Sequence, residues 1–356
     1  MTRSTLQVLL VEDEDSMISR WNDAVDAFNA DVERHGFLID KLSAKSVQEA
    51  KDLLAVRKLD AVVVDLRLQG EAGIGEDNDD GNKLIRHIGD TQPIGIVVYT
   101  GQTVQADRAS FPPQVQVMDK GAGLEPVFAW LSSQKELFLR LRGIRAAMER
   151  ETAKIFFKSI WPRWKQWTKD GEGDDLTEAL ARHVTAHVHD ALLHAAGGAA
   201  HPEETYFVPP LKDWLDTGDL LRRDSGLWIV VTPRCDLANE DKVATVLLAK
   251  CEDIAKRWND LDGSKTGAKE QKKISQHEGS PKQHFLPLAF DGTGTQLGPL
   301  LVQFHHLEAM PLRAARECLT PPDVRIASLA PQFIPSLVER FGAYFSRIGT
   351  PNLSSE

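Results

Sequence analysis

Cysteine is scarce in this sequence: Cys235, Cys251 and Cys318 are the only three among 356 residues, and they lie far apart. That excludes a disulfide framework and fits a reducing compartment, so a cytoplasmic protein is expected. Long apolar runs are missing as well, and none approaches the roughly 20 residues that a membrane helix needs. The opening MTRSTLQVLL has neither the apolar core nor the small-residue cleavage site of a signal peptide. Basic charge is in deficit, with 42 Lys and Arg against 52 Asp and Glu and a formal net charge of -10. A uniformly nucleic-acid-binding surface is therefore not expected, and no helix-turn-helix pattern is present. A C-x2-C pair is also lacking, and His183, His187 and His194 come without the glutamate of an H-E-x-x-H zinc site.

What is present begins with an alternation. Residues 6–11 are a short apolar run rich in Val and Leu, and 61–64 and 94–99 are continuous apolar runs, the pattern of parallel strands covered on both faces. Residues 37–42 and 115–118 read as two more strands. Between the first two strands, Met17, Trp21, Val25 and Phe28 recur at helical spacing over 16–32. Ser46 is placed to cap a second helix over 46–56, and a further helix is expected from about Leu124. This order predicts a doubly wound α/β domain. In such domains the site lies at the carboxyl ends of the strands, near a topological switch point.

Those carboxyl ends carry chemistry. The first strand ends in VLLVEDED, which sets Glu12, Asp13, Glu14 and Asp15 directly behind an apolar run. The third ends at Asp65 in VVVDLRL, the next at Thr100 in VVYTG, and the last at Lys120 in VMDKGAG. Acids placed together repel, so a cation is the natural occupant. Three carboxylates suit Mg²⁺, which takes oxygen ligands and commonly shares phosphate oxygens. A hydroxyl and an ammonium beside them are groups that hold phosphate oxygens.

This set resembles the receiver domain of bacterial response regulators over residues 5–130, about a third of the chain. The resemblance implies a flavodoxin-like (βα)5 fold. It implies that Asp65 is the phosphoacceptor, that Thr100 is the switch hydroxyl and that Lys120 is the assisting lysine. It further implies Mg²⁺ held by Glu12, Asp13, Asp65 and the backbone carbonyl of Arg67. A histidine kinase, a phosphotransfer protein or a small phosphodonor would supply the phosphoryl group. There are departures from the family pattern. LRLQGEAGIGEDNDDGNKL replaces the short loop after the aspartate and delays the family's glycine to Gly81. Its acids, Glu71, Glu76, Asp77, Asp79 and Asp80, make a solvated loop or a docking element. Gly121 stands where a proline commonly follows the lysine, and Val117 where an aromatic is common.

Three segments are expected: a receiver domain over 1–133, a helical linker over 134–169 and an α+β effector domain over 170–356. Leu137, Leu141, Ile144 and Met148 alternate steps of four and three, which fits an amphipathic or dimer-forming helix. In the last segment, 227–231, 243–250, 284–289 and 300–304 read as strands, and 333–348 as a closing helix. The stretch 260–283, with Lys265, Lys269, Lys272, Lys273 and Lys282, reads as a mobile loop. It is the place for a nucleic-acid contact, the less favoured reading. Cys235 and Asp236 in VVTPRCDLA are the effector-site candidates. The favoured function is a phosphorylation-dependent switch whose output binds a partner protein. The alternative is a controlled enzyme, a nuclease or hydrolase.

Overall fold

The computed structural model describes residues 4–68, 79–169, 173–195, 200–239, 243–261, 263–278 and 280–347. The chain divides into two compact units, Met1–Leu192 and Leu193–Glu356.

The first unit starts with β1 (Ser4–Val11), α1 (Asp15–Ala30), the one-turn α2 (Val32–His35), β2 (Phe37–Ala44) and α3 (Val47–Val56). It continues through β3 (Ala61–Val64), α4 (Asp80–Thr91), β4 (Gly95–Thr100) and β5 (Gln116–Asp119). The five strands are parallel in the order β2-β1-β3-β4-β5. That is the flavodoxin-like order, with its switch point between β1 and β3. The continuous apolar runs explain the two-faced burial, because successive side chains of a strand point to opposite faces. Leu9, Val11, Val62, Val64, Ile96 and Val98 join α3 and α4 in one core. Leu6, Val8, Leu10, Val63, Val97 and Tyr99 join Trp21, Val25 and Phe28 of α1 in the other. Ser46 caps α3 as expected, its hydroxyl accepting from the Glu49 amide at 3.2 Å.

The fourth crossover departs from the simple repeat. Between β4 and β5 the described chain makes a 3-10 turn at Thr103–Gln105 and no α-helix. The segment is poor in apolar residues and carries Pro112 and Pro113 in succession, which removes backbone donors a helix needs. Phe111 and Ala106 plug the core at this place instead.

After β5, α5 runs unbroken over Glu125–Ile155. Its first half covers the sheet through Val127, Leu131 and Phe138, while Leu137, Ile144 and Met148 are about half exposed. A π-helical turn (Phe156–Ile160), a 3-10 turn (Trp161–Arg163) and the short α6 (Trp164–Trp167) follow. Then comes α7 (Asp174–Ala195), whose Leu180, Val184 and Val188 pack with Ile155, Ile160 and Trp167.

The second unit is built on a seven-stranded sheet in the order β10-β13-β9-β8-β7-β14-β6, antiparallel at every described pairing. Its strands are β6 (Tyr206–Phe207), β7 (Asp219–Arg223), β8 (Gly226–Val230), β9 (Thr245–Asp253), β10 (Gln283–Leu286), β13 (Leu300–Pro311) and β14 (Arg325–Leu329). A two-stranded ribbon, β11 (Ala289–Phe290) with β12 (Gln296–Leu297), stands apart from it. The helices are α8 (Arg234–Leu237), α9 (Ala255–Asp260), α10 (Lys265–Ser275), α11 (Leu312–Leu319) and α12 (Ile334–Phe345). Separate cores fill the two sheet faces, one with Leu337, Phe341 and Phe304, the other with Trp228, Leu312 and Leu319. Four of the five lysines in the stretch expected as a loop, Lys265, Lys269, Lys272 and Lys273, lie on the helix α10. Ser264 caps it by accepting from the Gly267 amide at 2.9 Å. Among the described residues no helix is long and apolar enough to cross a membrane.

Candidate functional site

The carboxyl ends of β1, β3, β4 and β5 bring the expected residues to one edge of the first sheet. Glu12 and Asp13 follow β1 directly, and Asp65 follows β3, where its amide continues the ladder by donating to Val11 at 2.9 Å. Carboxylate oxygens of Glu12, Asp13 and Asp65 all lie within 4.8 Å of one another. Glu12 and Asp65 are buried, at 1% and 6% exposure. Lys120, just past β5, reaches across to both: its Nζ is 2.6 Å from Glu12 Oε2 and donates to Asp65 Oδ2 at 2.9 Å. Thr100 ends β4 and is buried, its hydroxyl accepting from the Gln102 amide at 3.2 Å. Arg67 lies two residues past Asp65 with its side chain exposed.

The electrostatics follow from that packing. Burial pushes the Glu12 carboxyl up, the Lys120 bond opposes this, and the charge of Asp65 adds to the rise. Burial alone would push the Lys120 ammonium down, but its bonds to Glu12 and Asp65 outweigh that and hold it above its ordinary value. Three carboxylates against one ammonium leave an excess of two negative charges when all are ionised. Such a deficit, framed by oxygen donors alone, fits a hard divalent cation and not a soft one.

Gly81 explains how the long loop after Asp65 leaves the site intact. A Cβ there would stand 2.5 Å from Leu66 Cα and 2.7 Å from the Asp65 carbonyl oxygen. Only glycine lets α4 return this close to the β3 end. Residues 69–78, with Glu71, Glu76 and Asp77, lie outside the described residues. Asp79 and Asp80 are described and open α4.

Some connections had no local signal in the sequence. Arg86 of α4 binds Asp79 and Asp107, each at 2.9 Å. Asn82 donates to Asp79 at 2.8 Å and to the Gln105 carbonyl at 3.2 Å, and accepts from the Asp107 amide at 3.2 Å. These bonds tie the start of α4 to the segment after Thr100. Beside Lys120, a groove of about 840 Å³ runs between α1 and α5, lined by Met17, Arg20, Phe28, Tyr99 and Phe128.

The candidates of the second unit do not assemble in the same way. Cys235 is exposed on α8, its Sγ 3.6 Å from Asp236 Oδ1. Cys251 is buried on β9. In the first unit, the His183 ring packs on Trp167 and His187 and meets the Ser159 hydroxyl at 3.3 Å. Among the described residues, Glu12, Asp13 and Asp65 are the one group of three or more such side chains arranged to hold a metal.

No protein-family model matches the chain, and no curated protein matches it in sequence. Solved structures do match. The chain is similar to the MaeR response regulator bound to beryllium trifluoride, at 21% identity and a TM-score of 0.21, over 27% of this chain and 66% of that one. It is similar to the signal receiver domain of an HD-domain-containing protein from Pseudomonas fluorescens, at 18% identity and a TM-score of 0.31, over 40% of this chain and 95% of that one. It is also similar to the response regulator TrrA from Thermotoga maritima in complex with magnesium and beryllium fluoride. That match has 14% identity and a TM-score of 0.26, over 36% of this chain and 97% of that one.

Proposed function

We propose that the chain is a phosphorylation-dependent switch, a response regulator in which Asp65 accepts a phosphoryl group. The observation that carries this reading is the convergence of Glu12, Asp13, Asp65 and Lys120 at one edge of a parallel sheet. An Asp65 carboxylate oxygen attacks phosphorus, the new O–P bond forms, and the bond to the donor's leaving atom breaks. Lys120 is placed to offset the charge that builds on the phosphoryl oxygens. Mg²⁺, held by Glu12, Asp13, Asp65 and the Arg67 carbonyl, would offset the rest of that charge. Thr100 then approaches the phosphoryl oxygens and draws its following segment with it.

The donor is a histidine kinase or phosphotransfer protein, and the groove beside Lys120 supports a protein donor. The second unit is the output and acts by binding a partner protein. Leu211 and Trp214, at 72% and 60% exposure ahead of β7, support that reading. The deciding test is intact-mass analysis after acetyl phosphate and Mg²⁺. One acid-labile phosphoryl adduct is expected, absent in Asp65→Asn. An adduct that persists in Asp65→Asn moves the acceptor elsewhere.

A further inference from the structure

A short stretch of the first unit runs against the charge of the whole chain. Residues 154–169 carry Lys154, Lys158, Arg163, Lys165 and Lys169 and no acid, in a chain whose formal net charge is -10. Glu151 takes up Lys154 at 2.6 Å, but no acid pairs with the other four among the described residues. The same stretch leaves large rings in water. Phe156, Phe157, Trp161 and Trp164 are 40%, 63%, 60% and 47% exposed. Their placement follows from the way the helix is broken. Ile155, Ile160 and Trp167 pack with α7 and fix one side of the segment. The π-helical turn at Phe156–Ile160 and the 3-10 turn at Trp161–Arg163 leave the other rings outside. A π-turn is rare and gathers at functional sites.

Ring geometry and charge select the occupant. Phe157 and Trp161 stack at 5.7 Å, and Phe156 meets them at 5.1 and 5.2 Å. The three rings make one apolar knob. Rings packed on each other leave no slot between them for a nucleobase, which disfavours single-stranded nucleic acid. A second copy is disfavoured by charge, because an isologous contact sets the patch against its own image, cation against cation. The complement of exposed rings beside unpaired cations is a surface that is anionic outside and apolar beneath. Tryptophan gathers at the level of lipid headgroups, and Lys and Arg lay their stems along apolar matter while the charge stays in water. Lys158 directly follows Phe157, and Lys165 directly follows Trp164.

We propose that residues 154–169 form a reversible docking surface for an anionic lipid bilayer. Phe157, Trp161 and Trp164 enter the headgroup region, and Lys158 and Lys165 meet the lipid phosphates. The contact is peripheral, and it requires no phosphoryl group at Asp65.

The test sediments the full chain with vesicles of phosphatidylcholine alone and of phosphatidylcholine mixed with phosphatidylglycerol. Binding to the mixed vesicles is expected, with little to the neutral ones, and it should weaken as salt shortens the screening length. Each lysine near an anionic surface adds about fivefold to affinity, so Lys158→Gln with Lys165→Gln should weaken binding about 30-fold. Phe157→Ser with Trp161→Ser should weaken it about tenfold or more, since the apolar knob is then lost. All four positions are exposed, so the fold should tolerate these changes. Hydroxyl-radical oxidation, read by mass spectrometry, locates the contact. Phe157 and Trp161 should be oxidised in the free chain and protected by the mixed vesicles. The proposal is overturned if the mixed vesicles do not bind, or if neutral ones bind as well. It also fails if either double variant binds like the parent. Rings protected without vesicles would show that another part of the chain, or a second copy, covers them. Protection by an oligothymidylate and not by vesicles would make nucleic acid the occupant. Should the ring variant not fold, the lysine variant and the footprint decide.

Discussion

Replacing Arg142 with alanine asks what holds the long α5 to the sheet. Asp60, in the turn before β3, is 3% exposed. Its carboxylate accepts from the Gln7 amide at 2.7 Å and from Arg142, whose Nε lies 3.1 Å from Oδ1 and whose Nη2 bonds Oδ2. The same Nη2 donates to the Thr5 carbonyl at 2.8 Å. Arg145 continues the clamp, donating to the carbonyls of Leu59 at 3.1 Å and Pro93 at 2.6 Å. Without Arg142, a buried carboxylate keeps one backbone donor. Breaking a buried pair from one side costs about 3–5 kcal/mol. The Arg142 side chain is 40% exposed, so water already screens part of the pair, and a loss of about 2–3 kcal/mol is expected. Asp60→Asn removes the charge but keeps an acceptor for the Gln7 amide, and should cost about 1 kcal/mol. Hydrogen exchange of the β1 amides in mild denaturant reads the difference. Arg142→Ala should speed it about 30- to 150-fold and Asp60→Asn about fivefold. Unchanged exchange in Arg142→Ala, or faster exchange in Asp60→Asn than in Arg142→Ala, would refute the clamp.

Gly81→Ala should cost about 1–3 kcal/mol, because the new methyl meets the backbone of Asp65 and Leu66, and should abolish phosphoryl uptake by displacing Asp65. Normal labelling by acetyl phosphate in that variant would contradict this. Acid should loosen the second unit through His284, which burial, helped by His277 and Arg340, pushes down to about 3. A histidine depressed in the folded state gives stability that is full above the unfolded value of 6.5 and is lost as pH falls toward the folded one. The loss should be on the order of 3 kcal/mol, after allowance for partial solvation. Thermal unfolding from pH 7 to pH 4 should show it, and His284→Gln should flatten the curve; equal slopes in both proteins would remove His284 as the cause.

Unit 1 was readable because its central strands β1, β3 and β4 are largely buried on both faces and so appear as nearly unbroken apolar runs. Residues 61–64 were placed to the residue, and Ser46 marked its helix start through a hydroxyl that does cap α3. The fourth crossover was less transparent, since a helix there is implied by the repeat and not by its own residues. In unit 2, β13 was expected over 300–304 but runs to Pro311. The reason is a register shift between Gln303 and Leu307, where His305 and His306 interrupt the alternation that marks a strand. The helix α10 was hidden by its eight exposed or half-exposed polar positions around one buried glycine, Gly267, whose Cβ would meet the Leu261 carbonyl at 1.8 Å.

The candidate site was legible for a related reason: strand-end positions follow from where apolar runs stop, so Glu12, Asp65, Thr100 and Lys120 could be placed without knowing any contact. Contacts between distant segments could not. The bonds of Arg86 and Asn82 join α4 to residues 105–107, and neither residue stands out in the sequence. Their consequence is mechanical. The segment after Thr100 has no α-helix of its own to carry a displacement, so in the proposed switch what would move with Thr100 is what this segment is bonded to. That is Arg86, Asn82 and, through both, Asp79, the first described acid of the insertion. Gly81 meanwhile holds the same end of α4 against the Asp65 carbonyl. The start of α4 is therefore touched from both sides of the carboxylate cluster, by the backbone at Asp65 and by the chain that follows Thr100.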